Sequence, residues 1–248
     1  MTRAPAYEPG PRERALEELW RATRYRLHSP RHLWSWFDLR RRYELRFLRV
    51  GAMKIEVPAG LLPDCESCVE LCCTGPNAIV SLRLSDIAAL CDRGLEGYIA
   101  KERPASTKPA PTWARWEADV SVFHRVFPVL RRDGTGTCAL LTEDRHCGAW
   151  PGWPLSCARY PYALDALRGR VFLAKGCRSH RLVTIDDVPG SVRSLVENTV
   201  RAYNERVKDI ILLHLALPEL HELGFLDHLS LEGRLESQWR ALQRAEHS

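Results

Sequence analysis

Cys65-Glu66-Ser67-Cys68-Val69-Glu70-Leu71-Cys72-Cys73 places four thiols within nine residues, and its reading governs what the rest of the chain can be. A two-residue gap lets both thiolates of a Cys-x-x-Cys turn reach one ion, as in zinc knuckles and iron–sulfur loops. On a helix each residue advances about 100°, so Cys65, Cys68 and Cys72 would share a narrow arc while Cys73 points roughly 80° away from Cys65. Either Cys73 belongs to a second centre, or the segment is irregular and wraps a larger cluster. Reading all four as small buried hydrophobes is disfavoured by their density. The stretch marks the centre of a loop-rich, cysteine-clustered core.

Working outward, residues 53–180 hold all nine cysteines. Short strands are expected at Met53–Val57, Ala78–Leu82, Val126–Arg131, Ala139–Thr142 and Arg170–Ala174, with a hairpin turn at Asp133-Gly134. Ser85 is placed as the cap of a short helix carrying Ile87, Leu90 and Cys91 and ending at Gly94. Pro104 to Pro111 reads as a surface loop. On the N-terminal side, Leu16, Leu19, Trp20 and Leu27 keep helical spacing. Ser29-Pro30 then opens a second helix, whose stripe of Leu33, Trp36, Leu39, Tyr43, Phe47 and Val50 predicts a run to Gly51. On the C-terminal side, Val192, Val196, Val200, Tyr203, Val207 and Ile211 trace one face of a long helix, and a last helix is expected over Leu231–Arg244. The fold class is therefore α+β: helical N- and C-terminal segments flanking a small cysteine-rich core with short antiparallel strands. The divisions are an Arg-rich helical arm at 1–52, a cysteine-cluster metal-binding domain at 53–185, and a C-terminal helical segment at 186–248 packing on the core.

The composition, 248 residues with 45% hydrophobic and 27% charged, is that of a globular chain and excludes disorder and fibres. No apolar run approaches the roughly 20 residues of a membrane-spanning helix, and no membrane partner is expected. The polar, proline-containing lead-in lacks a signal-type apolar core, so a cytoplasmic location is expected. There the thiols would serve metal or redox chemistry in preference to disulfides. Charge is uneven: residues 1–54 carry thirteen basic and six acidic side chains, and the remainder 23 basic and 25 acidic. That surplus suits an anionic nucleic-acid or membrane surface. Interspersed acids favour a solvated helix face instead, and nucleic-acid binding is not the preferred reading.

A second cysteine group follows at Cys138, Cys147, Cys157 and Cys177. Pro154, Tyr160, Pro161 and their neighbours predict a rigid, water-excluding wall beside Cys157, with Arg159 suited to neutralise an anionic metal–thiolate centre. The whole pattern is C-x2-C-x3-C-C, then C-x8-C-x9-C with Arg159-Tyr160-Pro161 close behind, then one further cysteine. It resembles the CxxCxxCC proteins, described as zinc- or iron-chelating, and the related flagellin lysine N-methylases. The resemblance spans about residues 60–180 and implies that Cys65, Cys68, Cys72, Cys73, Cys138, Cys147, Cys157 and Cys177 are the metal-binding set. Cys91 falls outside it and reads as a core residue. The chain departs from the family in carrying Trp150 and Trp153-Pro154 where Tyr and Arg-Pro are common, and in placing Ala158 before Arg159.

Eight thiolates suit two closed zinc sites or one iron–sulfur cluster plus four further thiols. Only one Cys-x-x-Cys pair is present, so an iron–sulfur cluster is preferred and zinc is the alternative. His146 adjoins Cys147 and His180 follows Cys177, so either could replace a thiolate, but both are read as supporting or solvent-facing groups. The Asp186-Asp187 pair is read as a turn or a helix entry. No dinucleotide, phosphate-loop, zincin or hydrolase motif occurs, and nothing nominates a general base or nucleophile. The expectation is a metal-binding protein with a structural, redox or accessory role, for which a protein partner is left open. The alternatives are a cluster-dependent protein lysine N-methyltransferase and a nucleic-acid-binding module using the Arg-rich arm. Whether the chain is an enzyme stays open.

Overall fold

Helix α1 (Pro11–Arg26) starts where Pro11 fits the first turn and Gly10 precedes it. Its exposed N–H groups find acceptors both nearby and far along the chain: Gly10 N donates to the Glu13 carboxylate at 3.1 Å. The N–H groups of Arg12 and Glu13 donate to the Asp92 carboxylate at 2.9 and 3.1 Å. Gly10 is required at this junction, because a Cβ there would lie 2.2 Å from Asp92 Oδ2. In the computed structural model, residues 7–58, 73–74, 79–101, 126–144, 146–173, 180–188 and 190–246 are described. The strand or loop readings at Ala78 and Pro104–Pro111 lie at positions outside them.

Helix α2 (Pro30–Tyr43) begins at Ser29 and Pro30 as the sequence predicts. Its predicted extension to Gly51 is not realised: Glu44 turns left-handed with φ 49, and Leu45 N donates to Arg40 O. The reversal removes Phe47 and Val50 from the helical stripe. Segment 45–49 is instead extended, held by Asn204, whose side-chain amide both accepts from Leu48 N and donates to Leu48 O at 2.9 Å.

Strand β1 (Lys54–Pro58) is central to a four-stranded sheet of order β4-β5-β1-β6, comprising also β4 (Tyr162–Asp165), β5 (Arg170–Leu173) and β6 (His180–Val183). β2 (Ile99–Ala100) and β3 (Val129–Leu130) form a separate pair. All ladders are antiparallel except β1 with β5, which run parallel with Ile55 opposite Val171. Buried Glu56 ion-pairs with Arg170 across that parallel ladder. Of the predicted strands, 53–57, 126–131 and 170–174 correspond to β1, β3 and β5 with shifted ends. Those at 78–82 and 139–142 shrink to the single bridges Ser81 with Val129 and Leu141 with Cys147. Between them the predicted turn at Asp133-Gly134 is closed by a bridge of Arg132 with Cys138, and the Asp133 carboxylate accepts the N–H groups of Thr135 and Thr137 at 2.9 Å. β4 and β6 were not foreseen.

Helix α3 (Leu84–Asp92) ends before Gly94, which takes φ +68. Ser85 lies inside it and is not its cap; Arg83 precedes the helix, and its N–H donates to Asp86 Oδ2 at 2.8 Å. A short helix α4 (Leu155–Ala158) follows the sheet pair, then α5 (Gly190–Leu215), α6 (Leu217–Glu222) and α7 (Gly233–Glu246). Asp186 and Asp187 sit in a 3-10 turn before α5, where Thr184 Oγ1 donates to Asp187.

The 26-residue α5 joins two cores. Its first half lays Val192, Val196 and Val200 over Met53, Ile55, Val57, Tyr162 and Val171 of the sheet layer. Its second half buries Val207 and Ile210–Leu213 among Leu16, Leu19 and Trp20 of α1, Ile87 and Leu90 of α3, and Phe225. Lys208 reaches Glu17 at 3.0 Å and lies 5.7 Å above the Trp20 ring. N-terminal, central and C-terminal segments thus close one helical core over a small sheet, an α+β fold. Among the described residues no helix is long and apolar enough to cross a membrane.

Candidate metal centre

Of the eight cysteines in the expected set, Cys73, Cys138, Cys147 and Cys157 are described, while Cys65, Cys68, Cys72 and Cys177 lie outside the described residues. Cys138 N donates to Cys73 O at 2.7 Å, which sets the last cysteine of the dense motif beside the first of the spaced group. Cys147 follows through the backbone: Leu141 N donates to Cys138 O at 2.9 Å, Leu141 bridges Cys147, and Gly148 N donates to Leu140 O at 2.7 Å. Buried Cys138 and half-buried Cys73 and Cys147 all pack against the helical core.

The turn after Cys147 is held by Arg93, just beyond α3. Its guanidinium donates to the carbonyls of Ala149 and, at 2.9 Å, Trp150. Tyr7 lies over the same turn, and a Cβ on Gly152 would stand 2.8 Å from its ring and 3.2 Å from Arg93 Nη1. A fixed positive charge and a close-packed ring therefore border the cysteine-bearing loop. The rings of Trp150 and Trp153 meet with centroids 4.8 Å apart. Both are substantially exposed, however, and only Pro154, Leu155 and Tyr162 of the expected wall are buried. The wall is closed from below and open to solvent at the tryptophans.

Cys157 sits on α4, which three tertiary hydrogen bonds fix. Leu155 N donates to Asp86 Oδ1 at 2.9 Å, Ser156 Oγ to Ser81 O at 2.7 Å, and Asn198 Nδ2 to Ala158 O at 3.1 Å. One turn of helix cannot hold itself, so α3 and α5 hold it. Burial pushes the Asp86 carboxyl up to about 6, against the lowering effect of the Leu155 and Arg83 N–H groups and the Arg83 charge. Burial also raises neighbouring Asp209 well above the usual carboxylate range, with Arg83 opposing and Glu205 and Asp86 adding to the shift. A buried acid, Asp86, thus anchors the Cys157 turn, and a second, Asp209, interacts electrostatically with it. Arg159, expected to face the centre, directs Nη1 toward the Tyr162 carbonyl at 3.5 Å, a marginal bond.

Cys91 is half-buried against the core, with Sγ 3.5 Å from His228 Nε2. Burial raises its thiol and lowers His228, which favours the neutral forms of both. His214, His221 and His228 stand on different elements, α5, α6 and a 3-10 turn. His214 meets Tyr43 Oη at 3.2 Å and is pushed down to about 4, chiefly by burial. His146 is exposed. Among the described residues no three His, Cys, Asp or Glu side chains are grouped to hold a metal ion.

Asp86, Arg93 and Asn198 were missed by sequence reasoning. Asp86 had one available signal, its place three residues after Arg83 at a helix start; the other two act across the fold and leave none. Comparison of the chain with protein-family models, curated proteins and solved structures finds no match.

Proposed function

We propose that this is a metal-binding protein whose cysteine cluster has a structural, redox or accessory role, with an iron–sulfur cluster preferred over zinc. The observation that carries the reading is the 2.7 Å bond from Cys138 N to Cys73 O. Two cysteines far apart in sequence are paired through their backbones, an arrangement that supports a shared centre over a scatter of core cysteines. The donor chemistry fits: thiolates are the ligands of both structural zinc and iron–sulfur clusters. Cys65, Cys68, Cys72, Cys73, Cys138, Cys147, Cys157 and Cys177 would hold the group. When bound, it would supply a redox couple if iron–sulfur, or cross-linking of the loop if zinc. The chain's own contribution is to fix the loop through Arg93 and the Cys157 turn through Asp86, Ser156 and Asn198.

Anaerobic purification, followed by metal analysis, acid-labile sulfide assay and a visible spectrum, tests the reading. Brown protein with iron and sulfide in near-equal amounts is expected, its colour bleaching in air. Colourless protein holding zinc would replace iron–sulfur by closed thiolate sites, and protein that takes up neither metal would end the proposal.

A further inference from the structure

Helix α2 is apolar on two opposite sides. Leu39 is buried in the helical core, with Trp36 and Tyr43 half-buried beside it. Away from the core, Leu33, Trp34 and Phe37 are 41%, 80% and 51% exposed. At about 100° per residue, Pro30, Leu33, Trp34, Phe37 and Arg41 fall within one arc of roughly 100° on the side away from Leu39. Burying such side chains is favourable, and an exposed apolar patch of this kind marks an interaction surface. Tyr25, 83% exposed, stands where α1 turns into α2.

Charge identifies the occupant. Arg40, Arg41 and Arg42 are exposed at the end of the same helix, and only one acid, Asp38, shares it, in a 2.9 Å ion pair with Arg42. The first 54 residues have thirteen basic against six acidic side chains. A second copy of this chain docked by a two-fold contact would bring together two surfaces of the same net positive charge. Nucleobases would stack on Trp34 and Phe37 but leave the aliphatic Pro30 and Leu33 of the same face uncovered. A bilayer interface accepts the whole set: aromatic rings at headgroup level, an aliphatic side chain just below, and guanidinium groups on anionic headgroups. We propose that the exposed face of α2 docks this protein peripherally on an anionic phospholipid surface. No spanning segment is needed for this, and the sequence expectation of no membrane partner, which rested on the lack of one, is set aside for peripheral contact.

Cosedimentation of the full chain with phosphatidylcholine vesicles containing about one-third phosphatidylglycerol tests the proposal. Binding is expected to the anionic vesicles, to weaken as salt is added, and to be absent with pure phosphatidylcholine. Trp34→Ser with Phe37→Ser should lower affinity at least about tenfold, through the apolar area lost. Arg40→Gln with Arg41→Gln should lower it about tenfold, through the charges lost. These side chains are exposed, so unchanged far-ultraviolet circular dichroism should accompany the losses. The proposal is overturned if anionic vesicles do not bind, if pure phosphatidylcholine binds as well, or if Trp34→Ser with Phe37→Ser binds like the parent. It is equally overturned if a duplex DNA or single-stranded RNA competitor binds more tightly than the vesicles and loses that binding with the same substitutions.

Discussion

Asp92 and Asp86 sit a few residues apart in and around α3, and each carboxylate caps another element. Asp92 accepts two N–H groups at the start of α1, so Asp92→Ala should destabilise by about 1 kcal/mol, the usual cost of a lost cap. Gly10→Ala should cost more, about 1–3 kcal/mol. Its methyl would meet Asp92 Cβ as well as the carboxylate, and truncating the carboxylate would not relieve it. Urea midpoints of both variants check the order. Asp86 makes a pH-dependent case. Its carboxyl is raised by burial to about 6 from 3.8, so the native state holds that proton more tightly than the unfolded chain. The resulting stabilisation is complete below about pH 4 and is lost as pH rises through about 6, by about 3 kcal/mol over the window. Half-buried His214, lowered to about 4, works oppositely: its contribution is present above its unfolded value and is lost as pH falls through about 4. Comparing Asp86→Asn with the parent cancels His214. The parent should gain about 3 kcal/mol relative to the variant between pH 7 and pH 4; equal slopes would show that Asp86 does not titrate in this range.

Among the elements, α5 was legible because its valines recur at helical spacing over several turns, and a helix obeying that period needs no knowledge of its partners. The end of α2 was not, because Phe47 and Val50 continue the period by accident while Glu44 turns the backbone aside. β4 and β6 were hidden for another reason: β6 is ordered by pairing with distant β1, and β4 by pairing with β5 across the turn at 166–169. The candidate site divides in the same way. Cysteine density marked the Cys65–Cys73 motif and the family resemblance implied the remaining thiols, yet Asp86, Ser156 and Asn198, which hold the Cys157 turn, act through contacts across the chain. That division can be tested by metal content. Cys91→Ser should retain metal and lose about 1–2 kcal/mol, the cost of a half-buried hydroxyl beside His228. Cys68→Ser and Cys157→Ser should each lose metal, with a large fall in melting temperature, since metal binding is folding free energy at such sites. Equal metal in all three variants would break the assignment of ligand and bystander.

At the level of the whole molecule, residues from the first helix, the cysteine-bearing middle and the last helices share one hydrophobic core. Leu16, Leu19 and Trp20 of α1 close against Val207 and Ile210–Leu213 of α5, which the ribosome makes late. At roughly 5–20 residues per second, the early helix waits on the order of ten seconds or more for its partners to be translated. Through that interval the side of its apolar stripe that meets α5 stays open and the Lys208–Glu17 contact is missing, while α3, with the Asp92 cap on Arg12, is already translated. Closure of this core therefore waits until α5 has been translated, and aggregation of chains that have not reached it is the failure to expect.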